Sequence, residues 1–197
     1  MGTNETVLNQ FADLQFTAKW IANSIHNRQQ VCDFCWQIDD VLPPNILNTI
    51  NYFLDSNDKW ENVDLQESWP RRAVHWDQSD ASPYRQMHFI FQQLTPVIRG
   101  MFNEHVEFQH SNMWEDSAEY TIAPHVDNNN INFALQIYLN DADPECGTCM
   151  YDGPNGDIIY KVPFKKNTGY ILKNSAHSWH GMMTPGNIRR SLYVNYR

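Results

Sequence analysis

The chain has 197 residues, 42% hydrophobic and 13% aromatic, with a formal net charge of −9 from 14 Lys and Arg against 23 Asp and Glu. That length suits one compact domain with a real core, and the composition excludes a disordered chain. The acidic surplus argues against a nucleic-acid partner, because such binding draws its affinity from Lys and Arg neutralising phosphates. No run of 18 apolar residues is present to cross a bilayer, and residues 1–11 lack the basic-then-apolar pattern of a secretory signal. The expectation is a soluble, cytoplasmic protein acting on a small molecule or a peptide.

Residues 1–105 read as mostly helical and residues 106–197 as almost entirely β, within one domain spanning 1–197. In the first part, 34–41 fits a strand. Pro43-Pro44 then opens a helix to about residue 54, since proline is tolerated in a first turn. A polar and aromatic cluster of Arg71, Arg72, His75 and Trp76 follows and reads as packing. Over 84–103, Met87, Ile90, Phe91, Leu94, Val97, Ile98, Met101 and Phe102 recur every three or four residues and give one apolar helix face. Pro96 is placed to bend that helix. The opposite face has no Lys/Arg excess, so the helix is expected on a sheet rather than on a membrane.

The second part breaks into eight short runs rich in Val, Ile, Tyr, Phe and Thr, at 106–114, 119–125, 131–140, 146–151, 157–162, 168–173, 177–181 and 188–196. Asp152-Gly153-Pro154-Asn155-Gly156 and Thr184-Pro185-Gly186-Asn187 are the strongest turn signals. No helices alternate with these strands, which points to a sandwich or jelly roll and against a doubly wound α/β fold.

The four cysteines form two C-x-x-C pairs, Cys32/Cys35 and Cys146/Cys149. Zinc-ribbon pairs stand about 15–20 residues apart; these are separated by more than a hundred. Free thiols are the expectation, with structural zinc the alternative. Neither pair opens a helix after a parallel strand, which disfavours a thioredoxin-like role.

The sharpest chemical feature is His125-Val126-Asp127. On extended chain, residues i and i+2 point to one face, so imidazole and carboxylate can converge on an ion. His180, 55 residues on, offers a third ligand. Two histidines and a carboxylate leave positions open, the donor set of non-haem Fe(II) oxygenases. Nine residues past His180 lies Arg189-Arg190-Ser191. Arg189 and Ser191 share a face, where a guanidinium fork and a hydroxyl can meet one carboxylate. Arg190 faces the other way and reads as a solvated arginine on an edge strand. His26, His75, His88, His105 and His110 have no ligand spacing.

With these residues in this order, the chain resembles the Fe(II)/2-oxoglutarate dioxygenase superfamily, in its prolyl-hydroxylase-like and phytanoyl-hydroxylase-like part. The matching stretch is His125-Val126-Asp127-Asn128, Ile137-Tyr138-Leu139-Asn140, Gly147-Thr148, His180-Gly181 and Arg189-Arg190-Ser191. Its texture is also similar to small phage and bacterial oxygenases. The resemblance implies a mainly β fold, a double-stranded β-helix (jelly roll) with supporting N-terminal helices. It implies Fe(II) on His125, Asp127 and His180, with 2-oxoglutarate as co-substrate held by Arg189, Ser191 and Tyr138, and O2 consumed to hydroxylate a substrate with release of succinate and CO2.

The family pattern puts the distal ligand before a small residue, which favours His180-Gly181 over His177. Relatives often line the substrate entrance with the region of Arg71, Arg72, His75 and Trp76. The sequence departs from the pattern at Cys146, where many relatives have a first glycine before Gly147. The competing classes are a cupin-like metal enzyme without 2-oxoglutarate and a non-catalytic jelly-roll binding module.

Overall fold

The computed structural model describes residues 14–56, 60–63, 71–75, 83–183 and 186–197. The N-terminal stretch 1–11, Trp76 and the Thr184-Pro185 half of the second turn signal lie outside the described residues. Among the described residues, no helix is long and apolar enough to cross a membrane.

In chain order the elements are α1 (Leu14–His26), β1 (Gln29–Cys32), β2 (Cys35–Ile38), α2 (Pro44–Asp55), β3 (Glu61–Asn62), β4 (Arg71–His75), α3 (Pro83–Gln93) and α4 (Thr95–Phe102). They continue as β5 (Phe108–Asp116), β6 (Ile122–His125), β7 (Phe133–Tyr138), β8 (Thr148–Tyr151), β9 (Ile158–Val162), β10 (Gly169–Lys173), β11 (His180–Met182) and β12 (Arg189–Tyr196). A large antiparallel sheet runs β1-β2-β10-β7-β12-β5-β4-β3, and a small one runs β6-β11-β8-β9. Strands leave one sheet and return to the other along 108–196, which is the double-stranded β-helix expected from the sequence.

Period-two alternation splits the large sheet between two cores. From β7, Phe133, Leu135 and Ile137 join Ile171, Leu192 and Val194 against the helices, where Ile21, Leu47, Ile50, Met87 and Phe91 are buried. The alternate residues Ala134 and Tyr138 turn to the other face, with Tyr170 and Leu172, to meet Met150, Val162 and Phe164. The large sheet is thus covered on both faces: helices close the outside, and the small sheet closes the side that carries the site.

Two expectations need correction and one an addition. The described part of the first half is mostly helical as expected, but β1 to β4 also lie there and extend the large sheet at both edges. These strands are two to five residues long, and β4 reads as polar only because its arginines pair with acids on β5. The long apolar helix is two helices. The chain breaks at Leu94 (φ −80°, ψ −7°), and Pro96 sits in the first turn of α4, where its missing N–H costs nothing. Arg190 is not on an edge strand, since β12 lies between β7 and β5. Its guanidinium meets Glu115 at 2.9 Å and Asp55 at 2.5 Å. Facing away from the site, as expected, it ties α2 to the sheet instead of to solvent.

Gly147 opens β8 because no side chain fits there: an added Cβ would lie 1.9 Å from the Val162 carbonyl oxygen. Cys146, in place of a preceding glycine, ends a short 3-10 turn (Pro144–Cys146). The loop accommodates it with its side chain buried.

Candidate metal centre and its cavity

β6 ends and β11 begins at the same level, with His125 and His180 register partners across the pair. Their ring centroids lie 4.4 Å apart. Asp127, two residues past His125, turns its carboxylate between them. Its Oδ1 is 3.6 Å from His125 Nε2 and 3.7 Å from His180 Nε2. One donor atom from each residue falls within 4.8 Å of the others, the only such grouping of His, Cys, Asp and Glu among the described residues. His177 lies in the turn before β11, exposed and outside this grouping. The strand starts only at His180, so His177 is not on it.

The second nitrogen of each ring fixes which one is free for a metal. His125 Nδ1 is 3.0 Å from the Ala123 carbonyl and His180 Nδ1 is 2.9 Å from the Ser178 carbonyl. A carbonyl can only accept, so Nδ1 carries the proton and both Nε2 lone pairs face Asp127. Such outer hydrogen bonds orient histidine ligands in metal sites. Tyr193 donates to Asp127 Oδ2 at 3.3 Å, leaving Oδ1 for the histidine side.

The electrostatics follow from burial and proximity. Burial would raise the Asp127 carboxyl, but the His125 hydrogen bond and both imidazoles hold it below its usual value. Burial drags His180 down, against the pull of Asp127, so it sits below the ordinary imidazole range. Burial also opposes the charged form of His125, yet its bonds to Asp127 and the Ala123 carbonyl leave its pKa raised. The donor set of two oriented imidazoles and an ionised carboxylate fits a divalent transition metal.

The same cavity, about 250 Å³, is lined by this triad together with Arg189, Ser191 and Tyr138. Arg189 is 3% exposed. Its Nη1 donates to the Cys146 carbonyl at 2.9 Å, and its Nη2 reaches the Tyr120 carbonyl at 3.2 Å and Asp116 Oδ2 at 3.4 Å. Ser191 Oγ accepts from Gln136 Nε2 at 2.8 Å, which leaves the hydroxyl proton to give. Tyr138, whose burial pushes its phenol up to about 12, donates to Thr148 Oγ1 at 2.9 Å. It is a neutral phenol at any physiological pH.

Several cavity residues were not singled out from sequence. Asp116, Gln136, Tyr170 and Tyr193 all line it. Spacing holds the signal for two of them: Gln136 is two residues before Tyr138, and Tyr193 two after Ser191. Arg71, read as packing, lines the cavity as well. It makes a two-point pair with Asp116, at 2.5 and 3.2 Å. Its guanidinium lies 4.2 Å from the Trp114 ring centroid and 4.3 Å from that of Tyr120. Arg72 instead faces away, to Glu115.

No family model matches the sequence, and no curated protein matches it. Solved structures do. A prolyl hydroxylase of Trichoplax adhaerens, in complex with a hypoxia inducible factor oxygen degradation domain peptide fragment, aligns with a TM-score of 0.68 at 11% identity, covering 95% of this chain and 91% of that one. A 2OG-Fe(II) oxygenase family oxidoreductase of Burkholderia pseudomallei aligns with a TM-score of 0.61 at 16% identity over 93% and 89% of the two chains. The chain has the fold of the Fe(II)/2-oxoglutarate oxygenases. HygX of Streptomyces hygroscopicus, with nickel, 2-oxoglutarate and hygromycin B bound, shares that oxygenase fold over 82% of each chain, with a TM-score of 0.56 at 13% identity. The cysteines have no part in the centre. None of the four is in a disulfide; Cys32 and Cys35 lie on the large sheet, Cys149 on the small one and Cys146 in the turn before it.

Proposed function

We propose that this protein is a non-haem Fe(II), 2-oxoglutarate-dependent dioxygenase that hydroxylates a small-molecule or peptide substrate. The observation that carries the reading is one cavity holding both an oriented His-Asp-His donor set and a buried arginine. The fold, shared with oxygenase structures that include one with nickel and 2-oxoglutarate bound, supports it.

His125 Nε2, Asp127 Oδ1 and His180 Nε2 would hold the metal. Fe(II), when bound with 2-oxoglutarate and O2, supplies oxidation of a substrate C–H bond with release of succinate and CO2. The chain itself binds, orients and shields. Arg189, with Ser191 as hydroxyl donor, would take the distal carboxylate of 2-oxoglutarate, and Tyr138 beside them, a neutral phenol, would turn its proton from Thr148 to that carboxylate. Tyr193 keeps the Asp127 carboxylate turned toward the histidines. The apolar walls from Phe164 and Met182 keep water from the reacting atoms.

One observation favours the cupin-like alternative: both terminal nitrogens of Arg189 already have protein acceptors. Titrating 2-oxoglutarate into the anaerobic Fe(II) protein separates the two. The oxygenase reading requires saturable 2-oxoglutarate binding and succinate formation in air. A protein that binds iron without 2-oxoglutarate fits the cupin-like reading.

A further inference from the structure

The Cys32/Cys35 pair takes no part in the cavity chemistry, yet its placement is specific. β1 and β2 form a hairpin closed by Asp33 and Phe34 alone, and the register sets Cys32 directly across from Cys35. Directly opposed residues of antiparallel strands point to one face, with Cα atoms about 4.5–5.5 Å apart. A disulfide needs about 4.4–6.8 Å, so the pairing sets the two residues at a separation that a disulfide spans. The turn is also anchored: the Phe34 carbonyl accepts from the Lys173 N–H at 2.8 Å, and β2 pairs along its length with β10.

The two thiols differ in access. Cys32 is half-buried and Cys35 wholly buried. A hydrogen bond from the Cys35 thiol brings Cys32 down to about 7, against burial and the Asp33 charge, while burial pushes Cys35 well up. An accessible thiolate beside a shielded thiol is the division of labour that dithiol exchange requires. The other pair lacks it. Cys146 and Cys149 are both buried, burial raises Cys149, and no strand register opposes them.

We infer that Cys32 and Cys35 form a thiol–disulfide exchange site that takes low-molecular-weight disulfides such as glutathione disulfide. The Cys32 thiolate attacks one sulfur of the disulfide, forming a mixed disulfide and expelling one glutathione thiolate, which takes up a proton. Cys35 then gives its proton to solvent and attacks Cys32 Sγ, closing the intrachain disulfide and expelling the second glutathione. The dithiol loses two electrons and two protons, and the reagent is reduced to two thiols. Cys35 belongs to the buried cluster that includes Tyr138 and Tyr170, so the bond forms in the wall behind the cavity.

The test is mass spectrometry of the folded full chain treated with glutathione disulfide at pH 7. Wild type loses two hydrogen atoms, retains no glutathione, and peptide mapping joins Cys32 to Cys35. Cys35→Ser retains one glutathione on Cys32, and Cys32→Ser does not react. Should Cys35→Ser fail to fold, limited iodoacetamide treatment of wild type replaces it: Cys32 is alkylated first of the four cysteines, and alkylation blocks the disulfide. A lasting glutathione adduct on wild type, first reaction at Cys146 or Cys149, or no reaction of the folded chain overturns the inference.

Discussion

Arg71, Asp116 and Arg189 are register partners on three adjacent strands, so one carboxylate lies between two guanidiniums on the cavity face. Asp116 holds the Arg189 fork, but its negative charge also weakens the field that Arg189 offers an anion. Arg71 cancels that charge. Arg71→Met is therefore expected to weaken 2-oxoglutarate binding several-fold, and adding Asp116→Asn should restore much of the loss by removing the uncancelled charge. The check is 2-oxoglutarate titration of the two variants; a double variant weaker than Arg71→Met contradicts the charge argument. At the metal, His180→Ala and Asp127→Ala should each abolish stoichiometric Fe(II) binding, while His177→Ala retains it. Metal analysis after anaerobic loading and desalting reads this directly, and loss of iron from His177→Ala would reassign the third ligand.

At the scale of elements, the close approach of β8 and β9 makes a stability prediction. Gly147→Ala places a methyl against the Val162 carbonyl, with the Phe164 amide 2.9 Å away, so backbone must move. Overpacking of this kind costs about 1–3 kcal/mol. Gly153→Ala, in the turn before β9, meets nothing within 4 Å and should be near neutral. Urea denaturation of both variants tests the contrast, and equal midpoints would contradict it. Strands such as β7, β10 and β12 were readable because they are buried on both faces and show it in Val, Ile, Leu and Tyr content. β4 was not, because its pairing partner β5 lies far along the chain, and β1 and β3 were not, because they are short edge strands with exposed residues. Arg71 and Arg72 read only as packing until β5 supplies Asp116 and Glu115 as their partners. Likewise the apolar stripe of 84–103 has one period on either side of Leu94, so the break is carried by Pro96 alone. The candidate ligands were readable as residues, but the roles of Asp116, Gln136 and Tyr193 depend on which strands become neighbours.

The whole molecule places its chemistry between two sheets while the helices brace the outer face of the larger one. A metal held by β6, its following loop and β11 cross-links the small sheet only in the native state, so it stabilises by mass action. At a free metal concentration a hundredfold above Kd the gain is about 2.7 kcal/mol. For a chain of this size that corresponds to about 5–10 °C in Tm. Anaerobic melting with and without Fe(II) should show this rise in wild type and none in His180→Ala. An equal rise in both would mean that the metal binds elsewhere.

The central claim, that the metal site and Arg189 together bind 2-oxoglutarate, is met most directly by titrating 2-oxoglutarate into anaerobic Fe(II) protein and following the metal-to-ligand charge-transfer band. Wild type should give a saturable band. Arg189→Ala should weaken affinity at least about tenfold, since a charge-assisted hydrogen bond contributes roughly 1.5–3 kcal/mol and 1.4 kcal/mol is a decade. Arg190→Ala, whose side chain faces Glu115 and Asp55 on the other side of the sheet, should do much less, and Ser191→Ala should fall between the two. Absence of the band in iron-loaded wild type, or equal affinity in wild type and Arg189→Ala, would contradict the account.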